Sequence, residues 1–215
     1  MKAILIGATG LVGNHILREV LDDKDFEEIR IFVRNTTGID HPKLREFVSP
    51  MVDTGSLESE IKGDVLFNAI GTTIKKAGSK EEQQRIDRDI PIDFARLASA
   101  KGVRLMLNIS SIGASMSGNF YLRTKAEMEE GTSKYFQGRI YHFRPGFLTG
   151  KRKDFRLIEK ISGLVMAMMD PLLGGSFKKY RRMPADKLAK AMVNLAKDHP
   201  GKPVILYYSD IMKLV

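Results

Sequence analysis

The first thirteen residues constrain the fold more than any others in the chain. Ala3-Ile4-Leu5-Ile6 is a short apolar run that leads straight into Gly7-Ala8-Thr9-Gly10-Leu11-Val12-Gly13. A helical pattern follows, with Ile16, Leu17, Val20 and Leu21 on one face. A buried strand, a glycine-punctuated turn and a helix in immediate succession suit the pyrophosphate of a dinucleotide. Gly7 permits the tight turn, Gly10 lets the backbone approach the phosphates, and Gly13 lets the helix pack closely on the strand. Thr9, Leu11 and Val12 complete the loop, and the helix start offers N–H groups and a positive dipole end to the anion.

Bulk properties agree with an enzyme-sized α/β unit. The chain has 215 residues, 43% of them hydrophobic and 28% charged, which is globular composition. There are no cysteines, so disulfides, thiolate metal sites and a cysteine nucleophile are excluded. Met1-Lys2 run directly into the first strand, which leaves no room for a signal peptide, and no apolar run reaches the roughly 18 residues of a membrane span. A cytoplasmic protein is expected. Much of the net charge of +9 gathers between Lys151 and Lys187, where ten basic residues face four acidic ones. No nucleic-acid-binding module accompanies that patch, so it reads as a solvated face or one that draws an anionic cofactor, substrate or lipid surface.

Strands and helices alternate along the chain. Ile29 to Arg34, Leu44 to Val48, Asp64 to Ile70, Val103 to Ile109, Arg139 to Phe143 and Val204 to Tyr208 read as further strands. Glu81 to Ala100 reads as a long helix that Pro91 bends or interrupts, and Tyr121 to Tyr135 as another. This rhythm implies βαβ units: a Rossmann-type, doubly wound parallel sheet with helices on both faces and a small C-terminal substrate-side extension, residues 147–185. One domain spanning 1–215 is expected. Ligands in such folds sit at the strands' carboxyl ends. The candidate chemistry gathers at these ends: the glycine turn, Arg34, Ile70-Gly71-Thr72, Ser110-Ser111 and Pro145-Gly146.

Arg34 closes the second strand, where NAD-preferring folds place an acid for the adenosine ribose. A guanidinium there suits a 2′-phosphate, so NADP(H) is favoured over NAD(H). Tyr121 and Lys125 lie four residues apart, on one helix face and about a turn from each other. A free phenol, with its pKa near 10, is a poor proton shuttle at neutral pH, and a neighbouring ammonium favours the phenolate. Lys125 can also hold a ribose hydroxyl, while Ser111 or Ser110 bonds a substrate carbonyl as Tyr121 gives up its proton.

With these residues in view, the chain resembles the short-chain dehydrogenase/reductase superfamily, in its extended or atypical branch. The match runs through Gly7-x-x-Gly10-x-x-Gly13, Asn108-Ile109-Ser110-Ser111, Tyr121-x-x-x-Lys125 and Arg144-Pro145-Gly146. Ile70-Gly71-Thr72-Thr73, Lys76-Ala77-Gly78, Asp87-Arg88-Asp89, Ser110-Ser111-Ile112-Gly113-Ala114 and Phe120-Tyr121-Leu122 with Lys125-Ala126-Glu127 resemble the Tat-interacting-protein-like group of atypical reductases. The resemblance implies NADP(H) binding and a Ser/Tyr/Lys constellation. Two departures stand out. Ser111 and Tyr121 are ten positions apart, closer than in the simpler members, and the fourth-strand turn reads Asn68-Ala69-Ile70-Gly71, so a catalytic role does not transfer to Asn68.

Leu157 to Leu173 is rich in methionine and reads either as a lid or pocket wall for an irregular apolar ligand or as a core helix. The flanking basic residues leave a peripheral membrane contact open. His142 reads as structural and His15 as a packed or surface residue, with no second ligand beside it to hold a metal. The expected activity is hydride transfer between NADP(H) and a small carbonyl or alcohol, through Ser111, Tyr121 and Lys125, in a monomer or homodimer. A sugar-nucleotide epimerase or dehydratase is an alternative on the same fold. An NADP(H)-sensing regulator that binds a protein partner is another, from a different class.

Overall fold

The computed structural model describes residues 1–51, 53–150, 179–198 and 205–215. The chain begins with β1 (Lys2–Ile6), α1 (Leu11–Asp22), β2 (Glu28–Val33) and β3 (Leu44–Val48). It then crosses back over β1 to β4 (Val65–Asn68), α2 (Ile74–Ala77), α3 (Lys80–Gln84) and α4 (Ile90–Ala100). β5 (Leu105–Ile109), α5 (Phe120–Tyr135) and β6 (Arg139–Phe143) follow. After the short pair β7 (Leu148–Thr149) and β8 (Met183–Pro184) come α6 (Ala185–Lys197), β9 (Ile205–Leu206) and α7 (Tyr208–Met212).

Seven strands form one sheet in the order β3-β2-β1-β4-β5-β6-β9, every neighbouring pair parallel. Strand order reverses between β1 and β4, which opens a crevice at their carboxyl ends. A parallel sheet covered on both faces needs strands that are apolar on both faces. β4 and β5 are accordingly buried at every position. Alternation along β1 divides the core in two. Ala3 and Leu5 pack with Ile16, Leu17 and Val20 of α1 and Leu188 and Met192 of α6. Ile4 and Ile6 join Phe32, Ile90, Phe94 and Met106 on the opposite face.

Among the differences from the sequence reading, three have a clear local cause or signal. The long helix from Glu81 to Ala100 contains a wide π turn, Arg85–Asp89, in which the Ile90 N–H donates to the Arg85 carbonyl. Pro91 lies in the first turn of α4; it has no N–H to donate and its ring crowds the preceding turn, a known cause of such bulges. α6 falls where the sequence reading placed no element, although Leu188, Met192 and Leu195 follow its buried face. The last strand, described from Ile205, ends at Leu206, because the chain turns into α7 at Tyr208. The methionine-rich stretch from Leu157 to Leu173, and with it most of the segment read as substrate-side, lies outside the described residues.

Candidate active site

The glycine turn is forced by its surroundings. Gly7 has φ +85°, and a Cβ there would lie 2.5 Å from the carbonyl carbon of Ala69 at the end of β4. Gly13 is held as tightly, since its Cβ would stand 2.0 Å from the Gly7 carbonyl oxygen. β1, β4 and α1 therefore meet backbone to backbone. Gly10 caps α1 without a side-chain hydrogen bond, and no acidic residue enters the first helical turn. The N–H groups of that turn are left to an incoming anion.

In front of this turn lies a cleft of about 600 Å³, within the range of roughly 300–1,000 Å³ usual for small-molecule sites. Gly7, Thr9, Gly10, Leu11, Arg34, Ile70, Gly71 and Thr72 line it. Val12 and Gly13 are buried beneath it in α1. Residues that the sequence reading missed complete the wall: Asn14, Arg18, Met51, Lys76, Arg85 and Ile90. His15 is also there. Helical spacing from Leu11 through His15 to Arg18 was the available signal, because it turns all three toward the helix start. Among the described residues, four basic side chains (Arg18, Arg34, Lys76 and Arg85) line the cleft, and no carboxylate does. Arg85 is clamped by Glu82 at 2.7 and 2.8 Å, whereas Arg34 is exposed at the rim. Such a wall fits a dinucleotide carrying several phosphates.

The proton-transfer candidates lie on the far side of the Gly71–Thr72 turn. Lys125 is 4% exposed, and its Nζ would stand 3.8 Å from a Cβ placed on Gly71. Its charge is answered from the π turn, where Asp87 Oδ2 lies 3.8 Å away. Tyr121, one helical turn earlier, is 40% exposed. Ser111 donates to the Ile112 carbonyl at 3.2 Å. The Ser110 hydroxyl is buried and without a hydrogen-bond partner. Pro145 and Gly146 stand apart from the cleft wall: the Pro145 carbonyl accepts from the Ile112 N–H at 2.9 Å, and Gly146 abuts the backbone of Tyr180 and Arg181.

Beneath the site a buried polar network joins the sheet to α5. Asn68 Nδ2 donates to Asn108 Oδ1 at 3.1 Å, while its own Oδ1 accepts from the Ile70 N–H at 3.2 Å. Asn108 Nδ2 donates to Thr132 Oγ1 at 3.0 Å and lies 3.3 Å from His142 Nδ1. The other His142 nitrogen lies 3.0 Å from Ser133 Oγ. Asn68 is thus bound into the framework of the turn, and His142 into the core. Burial pushes the His142 imidazole down to about 4, helped by the Arg144 charge and opposed by Glu129. Arg144 itself grips Glu129 in a two-pronged pair and reaches the Tyr207 hydroxyl at 3.3 Å.

Known proteins agree with this architecture. A family model described as NAD(P)H-binding matches residues 7–140. The mitochondrial protein fmp52 of Emericella nidulans is 32% identical over 200 residues, 88% of this chain and 84% of its own. FMP52 of Saccharomyces cerevisiae, also named mitochondrial, is 27% identical over 217 residues, covering 97% and 93%. Among solved structures, MoeE5 in complex with UDP-glucose and NAD superposes with a TM-score of 0.72 at 13% identity, over 96% of this chain and 75% of that one. WbmH of Bordetella bronchiseptica in complex with NAD+ does so with a TM-score of 0.73 at 14% identity, with the same coverage. The relatives' names overturn the cytoplasmic expectation, since they point to mitochondria. That expectation rested on the first residues of the chain, which speak to secretion and carry no information on other compartments. The chain belongs to the NAD(P)H-binding family, with a Rossmann-type fold.

Proposed function

We propose that this protein is an NADP(H)-dependent reductase that interconverts a small carbonyl compound and its alcohol. The observation that carries the reading is the position of Lys125, buried on α5 behind the Gly71–Thr72 turn and one helical turn from the more exposed Tyr121. The bound cofactor supplies or accepts the hydride. The chain's own residues do the rest. The α1 N-terminus and the basic cleft wall hold the phosphates, with Arg34 reading a 2′-phosphate. Ser111 hydrogen-bonds the substrate oxygen, with Ser110 as its alternative. Tyr121 donates the proton that the oxygen needs as it becomes a hydroxyl. Lys125 holds the ribose side of the site and stabilises the phenolate left behind.

A screen of carbonyl compounds that follows NADPH absorbance tests this directly. In a working reaction, Lys125→Met should lower both turnover and cofactor affinity, because one ammonium serves both. A variant that keeps full turnover removes the proposed role. The solvent-open phenol of Tyr121 also supports a second reading, an NADP(H)-sensing regulator with little turnover. That reading takes over if no carbonyl or alcohol reacts while NADPH still binds tightly and alters the binding of a protein partner. The names of the curated relatives support a mitochondrial setting; a tagged copy found only in the cytosol of fungal cells would argue against it.

A further inference from the structure

A buried carboxylate sits where the sequence reading assigned no chemistry. Asp87 belongs to the π turn between α3 and α4 and is 0% exposed. Its Oδ1 accepts the Thr72 N–H at 2.7 Å. Its Oδ2 lies 3.8 Å from Lys125 Nζ, beyond hydrogen-bond length, and has no hydrogen-bond partner among the described residues. A carboxylate in such a place is costly unless a positive charge shares it. Lys125 supplies that charge, because the other cations on these elements are engaged elsewhere. Arg85 pairs with Glu82, Arg88 with Asp89 and Glu127, and Arg123 with Glu127, while Lys80 rests over the Phe120 ring. Burial pushes the Asp87 carboxyl above its usual range; Lys125, the Thr72 N–H and Gln83 pull it back. The wide turn matters too. One extra residue in the circuit rotates what precedes it by about 100°, and that rotation decides which side chain faces α5.

We infer that Asp87 is a positioning residue: it draws the Lys125 ammonium behind the Gly71–Thr72 turn and offsets part of the positive charge that Tyr121 feels one helical turn away. This rests on the reading of Tyr121 and Lys125 as a proton-donating pair. In Asp87→Asn the side-chain oxygen can still accept from Thr72, but the negative charge is gone and an amide N–H₂ faces the ammonium. Tyr121 then meets the undiminished charge of Lys125 and ionises at lower pH.

The full chain lacks tryptophan and cysteine, so tyrosinate absorbance can be followed with pH, and subtraction of a Tyr121→Phe variant isolates the one phenol of interest. Asp87→Asn should lower the pH at which Tyr121 ionises by about one unit. The same substitution in a Lys125→Met background should move nothing, because Asp87 without its partner is neutral there. If Lys125→Met raises the Tyr121 titration and Asp87→Asn leaves it in place, the inference about Asp87 fails alone. If Lys125→Met leaves it in place, the pair reading fails and takes the inference with it. Should Asp87→Asn not fold, carbon-13 NMR of the Asp87 carboxyl decides. A carboxylate at neutral pH in the unmodified protein and a carboxylic acid in Lys125→Met support the inference, and the same state in both overturns it.

Discussion

Two halves of the crevice treat charge in opposite ways. On the α1 side, around the carboxyl ends of β1 and β2, basic side chains line an open cleft with no carboxylate among the described residues of its wall. On the α5 side, behind β4 to β6, the buried charges of the described residues are already answered: Lys125 by Asp87 and Arg144 by Glu129. The neutral His142 is fixed there by Asn108 and Ser133. In the first arrangement Arg85 is already held by Glu82, while Arg34 stands exposed at the rim, open to an anion that arrives from outside. The second spends its attraction on holding its own side chains in place, which is what a site needs in order to move one proton in one direction. Substitutions on the two sides should therefore fail differently: binding on one, rate or stability on the other.

The largest expected effect belongs to the α5 side. Tyr121→Phe keeps the ring and removes the proposed proton donor, so turnover should fall by about 10²–10⁴-fold while NADPH affinity, set across the cleft, stays nearly unchanged. A loss of affinity as large as the loss of rate would break the division. Glu129→Gln leaves the Arg144 guanidinium in a poorly solvated place with its neutralising partner gone, and chemical denaturation should show about 3 kcal/mol less stability. Replacing both partners by apolar residues should recover much of that.

The His142 imidazole adds a pH dependence of similar size. Within the fold it takes up a proton only near pH 4, and otherwise near 6.5, so between these values the unfolded chain binds more protons. Its contribution to stability is complete above about pH 6.5 and is lost as the pH falls toward 4, by about 3 kcal/mol in all. Denaturation midpoints at neutral and acidic pH, compared with those of His142→Gln, should show a flatter dependence in the variant. Equal dependences would show that His142 does not carry the effect. The smallest effect lies on the open side. Arg34→Glu should weaken NADPH binding by about 1.5–3 kcal/mol and largely spare NADH. Titration of the unmodified protein with both nucleotides supplies the reference, and equal affinities there would remove Arg34 from the 2′-phosphate.

The open side was largely legible in the sequence because its demands are local. Gly7 must take a positive φ against Ala69, and Gly13 must let the Gly7 carbonyl approach; both needs fall within one strand–turn–helix unit and appear as glycines at fixed offsets. Arg34 was legible as the residue that closes β2. Even here Arg18, Lys76 and Arg85 were missed, since they reach the cleft from three different helical segments and share no spacing. The α5 side was only half legible. The i to i+4 step from Tyr121 to Lys125 could be read, but the partner of Lys125 could not. Asp87 looks like one acid in a charged stretch until the π turn aims it inward. Glu129 is a polar residue on an ordinary helix until Arg144 closes on it from the end of β6.

What the sequence determined by itself is therefore the set of properties that depend on near neighbours: the alternation of strands and helices, the glycine turn, the shared face of Tyr121 and Lys125, and the absence of cysteine chemistry. The tertiary structure alone decided which charges meet. Ion pairs such as Lys125 with Asp87 and Arg144 with Glu129 join residues 38 and 15 positions apart, and they exist because packing removes both members from water, so that each becomes tolerable only beside the other. That condition is a property of the folded core and has no periodicity along the chain from which to read it.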